Sequence, residues 1–209
     1  MYTIYGYSTF NPLKVVIVAE ELGIDYGYKY INLGKRENLD PTHLARHPFG
    51  KVPVLEHKGE FIHESAAICR YLANTNGKKL YSDDPLQAAR IDALMDVMSI
   101  HIGRWLAVYF WEELIAPKFL DRVANPDALE EAKGWLDKQL PYLDGLLSNN
   151  NWLCGNQLSI ADCFTFAYLT ISDNTSISLD PYYNLSAWYE NMRNRPSVQK
   201  AMALVFSTP

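Results

Sequence analysis

The 209-residue chain predicts an α/β domain followed by an all-α helical bundle. Three observations carry that expectation. Short runs of β-forming residues alternate with helical patterns from Tyr2 to about Thr75. The stretch Asn74 to Pro85 is rich in Asn, Gly, Lys and Asp and poor in apolar residues, as a boundary between domains is. Beyond it, apolar residues recur only at steps of three and four. The expected layout is a first domain over residues 1–76, a linker over 77–85 and a helical domain over 86–209.

Each element follows from local signals. Tyr2 to Tyr7 is β-rich, with Tyr5 deep and Tyr7 nearer the mouth of one strand face, and Ser8 to Asn11 forms the loop after it. Asn11 and Pro12 suit an N-cap and a first helical position. Leu13 to Leu22 is then a helix closed by Gly23, with Val15 to Ala19 mostly buried. Tyr26 to Ile31 alternates as a strand, Asn32 to Asp40 is a polar loop, and Pro41 to Leu44 a helical turn. Val54 to Glu56 and Glu60 to Ile62 pair across Lys58-Gly59, and a helix runs from Ser65 to about Asn74. The order βαβ-αββα, with the right-handed crossover that parallel strands require, is thioredoxin-like.

In the second region Ile91, Leu94, Met95, Met98, Ile102, Trp105, Leu106 and Tyr109 form one apolar stripe, with Pro117 ending or kinking the helix. A further helix carries Leu129, Ala132, Leu136, Leu140, Leu143 and Leu147, with Pro141 marking a kink or break. Ser159-Ile160-Ala161-Asp162 is a capping box opening an apolar helix. Two more helices, Asn184 to Asn194 and Pro196 to Leu204, complete the bundle.

Composition narrows the function. The chain is 48% hydrophobic and 21% charged, with net charge −5, and no basic block points to nucleic acid. No apolar run approaches the roughly 20 residues that span a bilayer. The start, Met1-Tyr2-Thr3-Ile4, carries no export signal. Three cysteines, Cys69, Cys154 and Cys163, form no Cys-x-x-Cys and suit a reducing cytoplasm. The five histidines lack metal-ligand spacing, no Gly-rich phosphate loop is present, and no metal or prosthetic group is expected.

The most informative stretch is Phe49 to Leu72. Val52, Val54 and Leu55 favour a strand, yet Pro53 donates no ladder hydrogen bond and belongs at an edge, a strand start or a cis turn. A re-aimed backbone leaves Val52 with an N–H and a C=O for an extended peptide. Glu64 and Ser65 precede a helix, so a carboxylate, a hydroxyl and free amides share one space. Gly50-Lys51-Val52-Pro53-Val54-Leu55 followed by Glu64-Ser65-Ala66-Ala67-Ile68 closely resembles the glutathione-binding core of cytosolic glutathione transferases. The resemblance extends over essentially the whole chain. It implies a cis Pro53, Val52 hydrogen-bonded to the cysteinyl backbone of glutathione, and Glu64 and Ser65 holding its γ-glutamyl end. Lys51 and Asn38 are then the candidates for the glycyl carboxylate. Related classes often carry histidine and lysine where this chain has Asn38 and Leu39. Lys35 and Arg36 are better read as solvated charges.

A glutathione held there places its sulfur near the loop after the first strand. A free thiol with a pKa of about 8.5 is only a few per cent ionised at pH 7, and the thiolate is the nucleophile. Lowering that pKa by two units takes about 2.7 kcal/mol. One charge-assisted hydrogen bond of about 1.5–3 kcal/mol and a helix N-terminus of about 0.3–1 kcal/mol suffice, without a general base. The donors within reach are Tyr5, Tyr7, Ser8, Thr9 and Asn11; no cysteine lies here. The spacing Thr9-x-Asn11-x-x-Lys14 resembles nu-class and fungal-type transferases, and Ser8 is the nearest match to serine classes. Thr9 and Asn11 are preferred over Ser8, which stays a competitor. By itself Asn11 is equally a helix cap, and Thr9 a hydroxyl bonding its own backbone.

The resemblance implies an apolar site for the second substrate at Phe10, His101, Trp105, Tyr109 and Trp111, suited to hydrophobic electrophiles or organic disulfides. It also implies a homodimer, with Arg70, Tyr71, Met95 and Met98 proposed at the seam. Conjugation, disulfide reduction and peroxidase chemistry are the activities it suggests. The alternative is a glutathione-binding or regulatory module with little turnover.

Overall fold

The computed structural model describes residues 1–207. The chain divides into one unit made of Met1–Asp83 and the residues from Arg193 onward, and a second made of Asp84–Met192. The last helix, expected within the second domain, packs on the first helix and so falls in the first unit.

The first unit is built on strands β1 (Tyr2–Gly6), β2 (Tyr26–Tyr30), β3 (Val54–His57) and β4 (Glu60–His63). Their order is β2-β1-β3-β4, parallel between β1 and β2 and antiparallel elsewhere. Helices α1 (Phe10–Leu22), α2 (Pro41–Leu44) and α3 (Ser65–Thr75) lie among them, and α10 (Pro196–Phe206) returns from the end of the chain. Leu13 to Ala19 of α1 are all buried, Lys14 included, so this helix has no solvent face. A helix apolar around its whole circumference needs cover on every side. Here α3 and α10 both pack on it.

The α10 contact ends in an ionic clamp. Arg195 Nε and Nη2 donate to the two carboxylate oxygens of Glu21 at 2.5 and 2.7 Å, and the Ser197 hydroxyl donates to the same carboxylate. Lys200 pairs with Glu20 at 2.8 Å. Burial works to raise the Glu21 pKa, but hydrogen bonds from Arg195 and Ser197 and the arginine charge prevail, holding it below the ordinary value of 4.5. A depressed carboxylate contributes stability above its unfolded pKa and loses it as pH falls through the folded one. Acid should therefore loosen α10. A Glu21→Gln variant should start about 2 kcal/mol less stable at pH 7 and lose less than the parent between about pH 5 and pH 3, as read by urea unfolding.

The second unit opens on α4 (Pro85–Asp96), capped by Asp84, whose carboxylate accepts from the N–H groups of Leu86 and Gln87. The same helix continues through a π segment (Val97–Ile102), α5 (Gly103–Tyr109), a second π segment (Phe110–Ile115) and α6 (Ala116–Phe119). All eight stripe residues named above are buried. Gly103 is required by packing, because a Cβ there would lie 2.4 Å from the Met98 carbonyl oxygen and 2.6 Å from the Tyr168 ring. Helix α7 (Pro126–Leu146) runs on through Pro141, without the break that a proline invites. Helix α8 (Ile160–Leu169) and a 3-10 turn (Thr170–Asn174) form the unit's interior, and α9 (Tyr183–Arg193) closes it. The capping box forms as the motif predicts, with Asp162 fully buried and accepting from Leu153 N–H, Ser159 N–H, Ser159 Oγ and Trp188 Nε1. No helix among the described residues is long and apolar enough to cross a membrane.

Candidate functional site

The predicted binding residues of the first unit lie at the mouth of β3 and the start of α3. The Val52–Pro53 peptide is cis, and β3 begins at Val54 directly after it. Val52 makes no backbone hydrogen bond to another backbone group among the described residues, so its N–H and C=O stay available. Two side chains hold the segment before it. His43, buried on α2, bonds the Lys51 carbonyl through Nε2 at 2.9 Å. Asn38 donates to the Gly50 carbonyl at 2.8 Å. Gly50 has a φ of 58°, and a Cβ there would meet the Asn38 carbonyl oxygen at 2.7 Å. Asn38 therefore braces the loop with the amide that was expected to reach a glycyl carboxylate, while Lys51 is exposed.

Glu64 has a φ of 69° and precedes α3 without capping it, and its side chain is 71% exposed. A non-glycine residue in that backbone region is sparsely populated and clusters at ligand sites. The Ser65 hydroxyl has no hydrogen-bond partner among the described residues, and the first amides of α3 are unpaired by helix geometry.

Sequence reasoning missed two histidines here. His43 and His47 sit one helical turn apart, and that spacing was their only signal. His47 is buried, its Nε2 lies 3.9 Å from Glu64 Oε1, and its ring centroid is 4.7 Å from that of His63. His47, His63 and Glu64 bring their ligand atoms within 4.8 Å of one another, a grouping the histidine spacing did not reveal. The Phe49 N–H donates to His47 Nδ1 at 3.2 Å, which leaves the proton of the neutral ring on Nε2. The ring thus faces Glu64 as a donor, not as a lone pair for a metal. Burial, then the His63 charge, lower its pKa against the opposing pull of Glu64, and the ring is neutral at pH 7.

The loop after β1 separates the candidates for the sulfur. Tyr5 donates to Glu56 at 2.6 Å and is buried in the sheet. Tyr7 packs its ring 5.3 Å from Tyr30. Ser8 donates its hydroxyl to the Val205 carbonyl of α10 at 2.9 Å. Thr9, not Asn11, is the N-cap of α1, with extended dihedrals of −145° and 165° and a hydroxyl that makes no capping hydrogen bond. Asn11 falls on the second helical residue, and its Oδ1 accepts from Lys14 Nζ at 2.7 Å. Gly6 sets this loop close to its neighbours, since a Cβ there would lie 2.4 Å from the Tyr28 hydroxyl.

The residues expected for the second substrate fall in both units. Phe10 is buried in the first, beneath the Lys14 ammonium at 5.1 Å. In the second, Trp105 stacks on Trp135 at 5.8 Å, and Tyr109 donates to the Leu129 carbonyl at 3.3 Å. His101 and Trp111 are exposed. Met95 and Met98, proposed for a dimer seam, are fully buried in the second unit, which removes them from any seam. Tyr71 bonds His57 Nδ1 through its hydroxyl at 2.7 Å. The three cysteines are free, and burial raises the thiols of Cys69 and Cys154 to about 12.

Comparison with known proteins gives the family. The glutathione S-transferase N-terminal domain family matches residues 1–74, and the glutathione S-transferase C-terminal domain family matches residues 98–196. A probable glutathione S-transferase GSTF2 of Oryza sativa subsp. japonica is 32% identical over 97% of this chain and 96% of its own length. Glutathione S-transferase 1 of Zea mays is 31% identical at the same coverage. A structure of glutathione S-transferase I from maize in complex with an atrazine–glutathione conjugate superposes with a TM-score of 0.91, at 30% identity, over 100% of this chain and 99% of that one. The chain belongs to the glutathione S-transferase family and is a glutathione transferase.

Proposed function

We propose that this transferase binds glutathione extended along the Val52 edge and holds its thiol as an anion for attack on a hydrophobic electrophile or a disulfide. Val52 takes the cysteinyl backbone through its N–H and C=O. Glu64, Ser65 and the first α3 amides take the γ-glutamyl ammonium and carboxylate. Lys51 answers the glycyl carboxylate, with Asn38 bracing the loop beneath it. Thr9 and Asn11 donate to the sulfur. The reading rests on one observation: Val52 and Ser65 offer unpaired groups beside the exposed Glu64 carboxylate, whereas the hydroxyl of the competitor Ser8 is already committed to Val205. The maize complex with a glutathione conjugate supports the substrate.

The rice and maize relatives described above are plant transferases, so a likeness to nu-class enzymes rests on the Thr9–Asn11 loop alone. His101 and Trp111, the exposed members of the aromatic set, are the ones left to touch the second substrate. Two copies pair through the first unit, where Phe49 and Phe61 are 75% and 40% exposed. The free thiols suit a reducing cytoplasm.

Calorimetry with glutathione, then assays with a chloronitroarene and with hydroxyethyl disulfide, test the reading. Turnover of either supports it and names the branch. Glutathione binding without turnover favours the non-catalytic module, and no glutathione affinity removes both. Sedimentation at micromolar concentration should give a dimer.

A further inference from the structure

The geometry points to Lys14 as a positioning residue for the thiolate: its buried ammonium fixes the Asn11 amide so that both amide N–H groups face away from it, free for the sulfur. This rests on the reading of Thr9 and Asn11 given above. Lys14 is 0% exposed, one of the largest fully buried side chains in the protein. A position that needed only packing would be filled at lower cost by an apolar side chain of the same length, because burying an ammonium is expensive. What the lysine adds is donors and charge.

Its geometry directs both. Nζ donates to Asn11 Oδ1 at 2.7 Å, so the amide oxygen faces the lysine and the amide N–H groups point the other way. The two Asn11 N–H groups have no partner among the described residues. Phe10 lies under the ammonium at 5.1 Å, and Cys69 on α3 donates its thiol to the Lys14 carbonyl at 3.7 Å. The Lys14 side chain is therefore held within its own helix, and the backbone that carries it is tied to α3. The titratable groups facing it include Cys69 and Glu64, both on the α3 side. Burial lowers the Lys14 pKa well below the usual lysine range, against the opposing effect of those two groups. Placing an anionic sulfur nearby favours the ammonium, and the ammonium polarises the amide toward that sulfur. The thiol proton leaves to bulk water, and no covalent bond is made.

The test uses the full chain carrying Lys14→Met, Lys14→Gln or Asn11→Ala, and the double variant Lys14→Met with Asn11→Ala. Thiolate absorbance of bound glutathione gives its titration, calorimetry gives its affinity, and circular dichroism confirms the fold. Lys14→Met should move the thiol titration upward by about one unit, roughly tenfold less thiolate well below the midpoint. Glutathione affinity at low pH should stay within about twofold, since the fully buried Lys14 side chain is not among the groups assigned to the peptide. Lys14→Gln should move the titration less. In the double variant the two shifts should fail to add, because one residue acts through the other. If Lys14→Met loses its fold, Lys14→Gln carries the same test. An unchanged titration in a folded, glutathione-binding Lys14 variant overturns the proposal, as do shifts that add independently. If the parent itself shows no glutathione binding or no thiolate, the failure lies with the proposed function.

Discussion

Replacing Thr9 with valine should raise the pKa of the bound glutathione thiol by about 1–2 units, the loss of one charge-assisted hydrogen bond worth about 1.5–3 kcal/mol. The rate at pH 6.5 should fall roughly 10- to 100-fold and recover as the pH is raised, because the missing donor limits thiolate formation and not the later attack. Valine matches threonine in shape, so the start of α1 keeps its extended N-cap backbone. Ser8→Ala is the informative contrast. Its hydroxyl donates to the Val205 carbonyl, so the variant should lose about 1 kcal/mol of stability and keep its rate within about twofold. Steady-state rates across pH, with the thiolate absorbance of the binary complex, read both variants. The reverse pattern, a silent Thr9→Val beside a crippled Ser8→Ala, would transfer the sulfur contact to Ser8.

The largest stability effect is expected in the second unit. Asp162→Ala removes a fully buried acceptor from four donors: the N–H groups of Leu153 and Ser159, Ser159 Oγ and Trp188 Nε1. Each buried donor left without a partner costs about 1–3 kcal/mol, though rearrangement recovers some of it. A loss of about 4 kcal/mol places this change in the exceptional tail of single substitutions and should lower Tm by roughly 8–16 °C for a chain of this size. Asp162→Asn keeps one acceptor oxygen and should lose about half as much. Calorimetric or urea unfolding decides it. A loss under about 1 kcal/mol for the alanine variant would mean that the capping box contributes little to the fold.

The loop after β1 shows where reading a sequence stops. Asn11 followed by Pro12 was a sound N-cap signal, yet Thr9 takes the cap and Asn11 becomes the partner of a buried lysine. Both residue types suit a cap, and the choice between them is made by the close approach of Gly6 to Tyr28 and Pro12, which sets where the chain turns. Likewise Asn38 has the right chemistry for a carboxylate, but its amide is committed to a carbonyl twelve residues away.

The sequence alone determined the strands and helices, the apolar stripe from Ile91 to Tyr109, the Asp162 capping box and the Val52-Pro53, Glu64-Ser65 pair. Those features depend on residues within a turn or a strand of one another, where spacing and backbone preference act directly. The tertiary structure decided that Ser8 is bonded to Val205, that α10 belongs with α1, that Trp105 stacks on Trp135, and that Lys14 lies fully buried. Each is a question of which distant group reaches a donor, a ring or a charge first, and only packing brings those groups together.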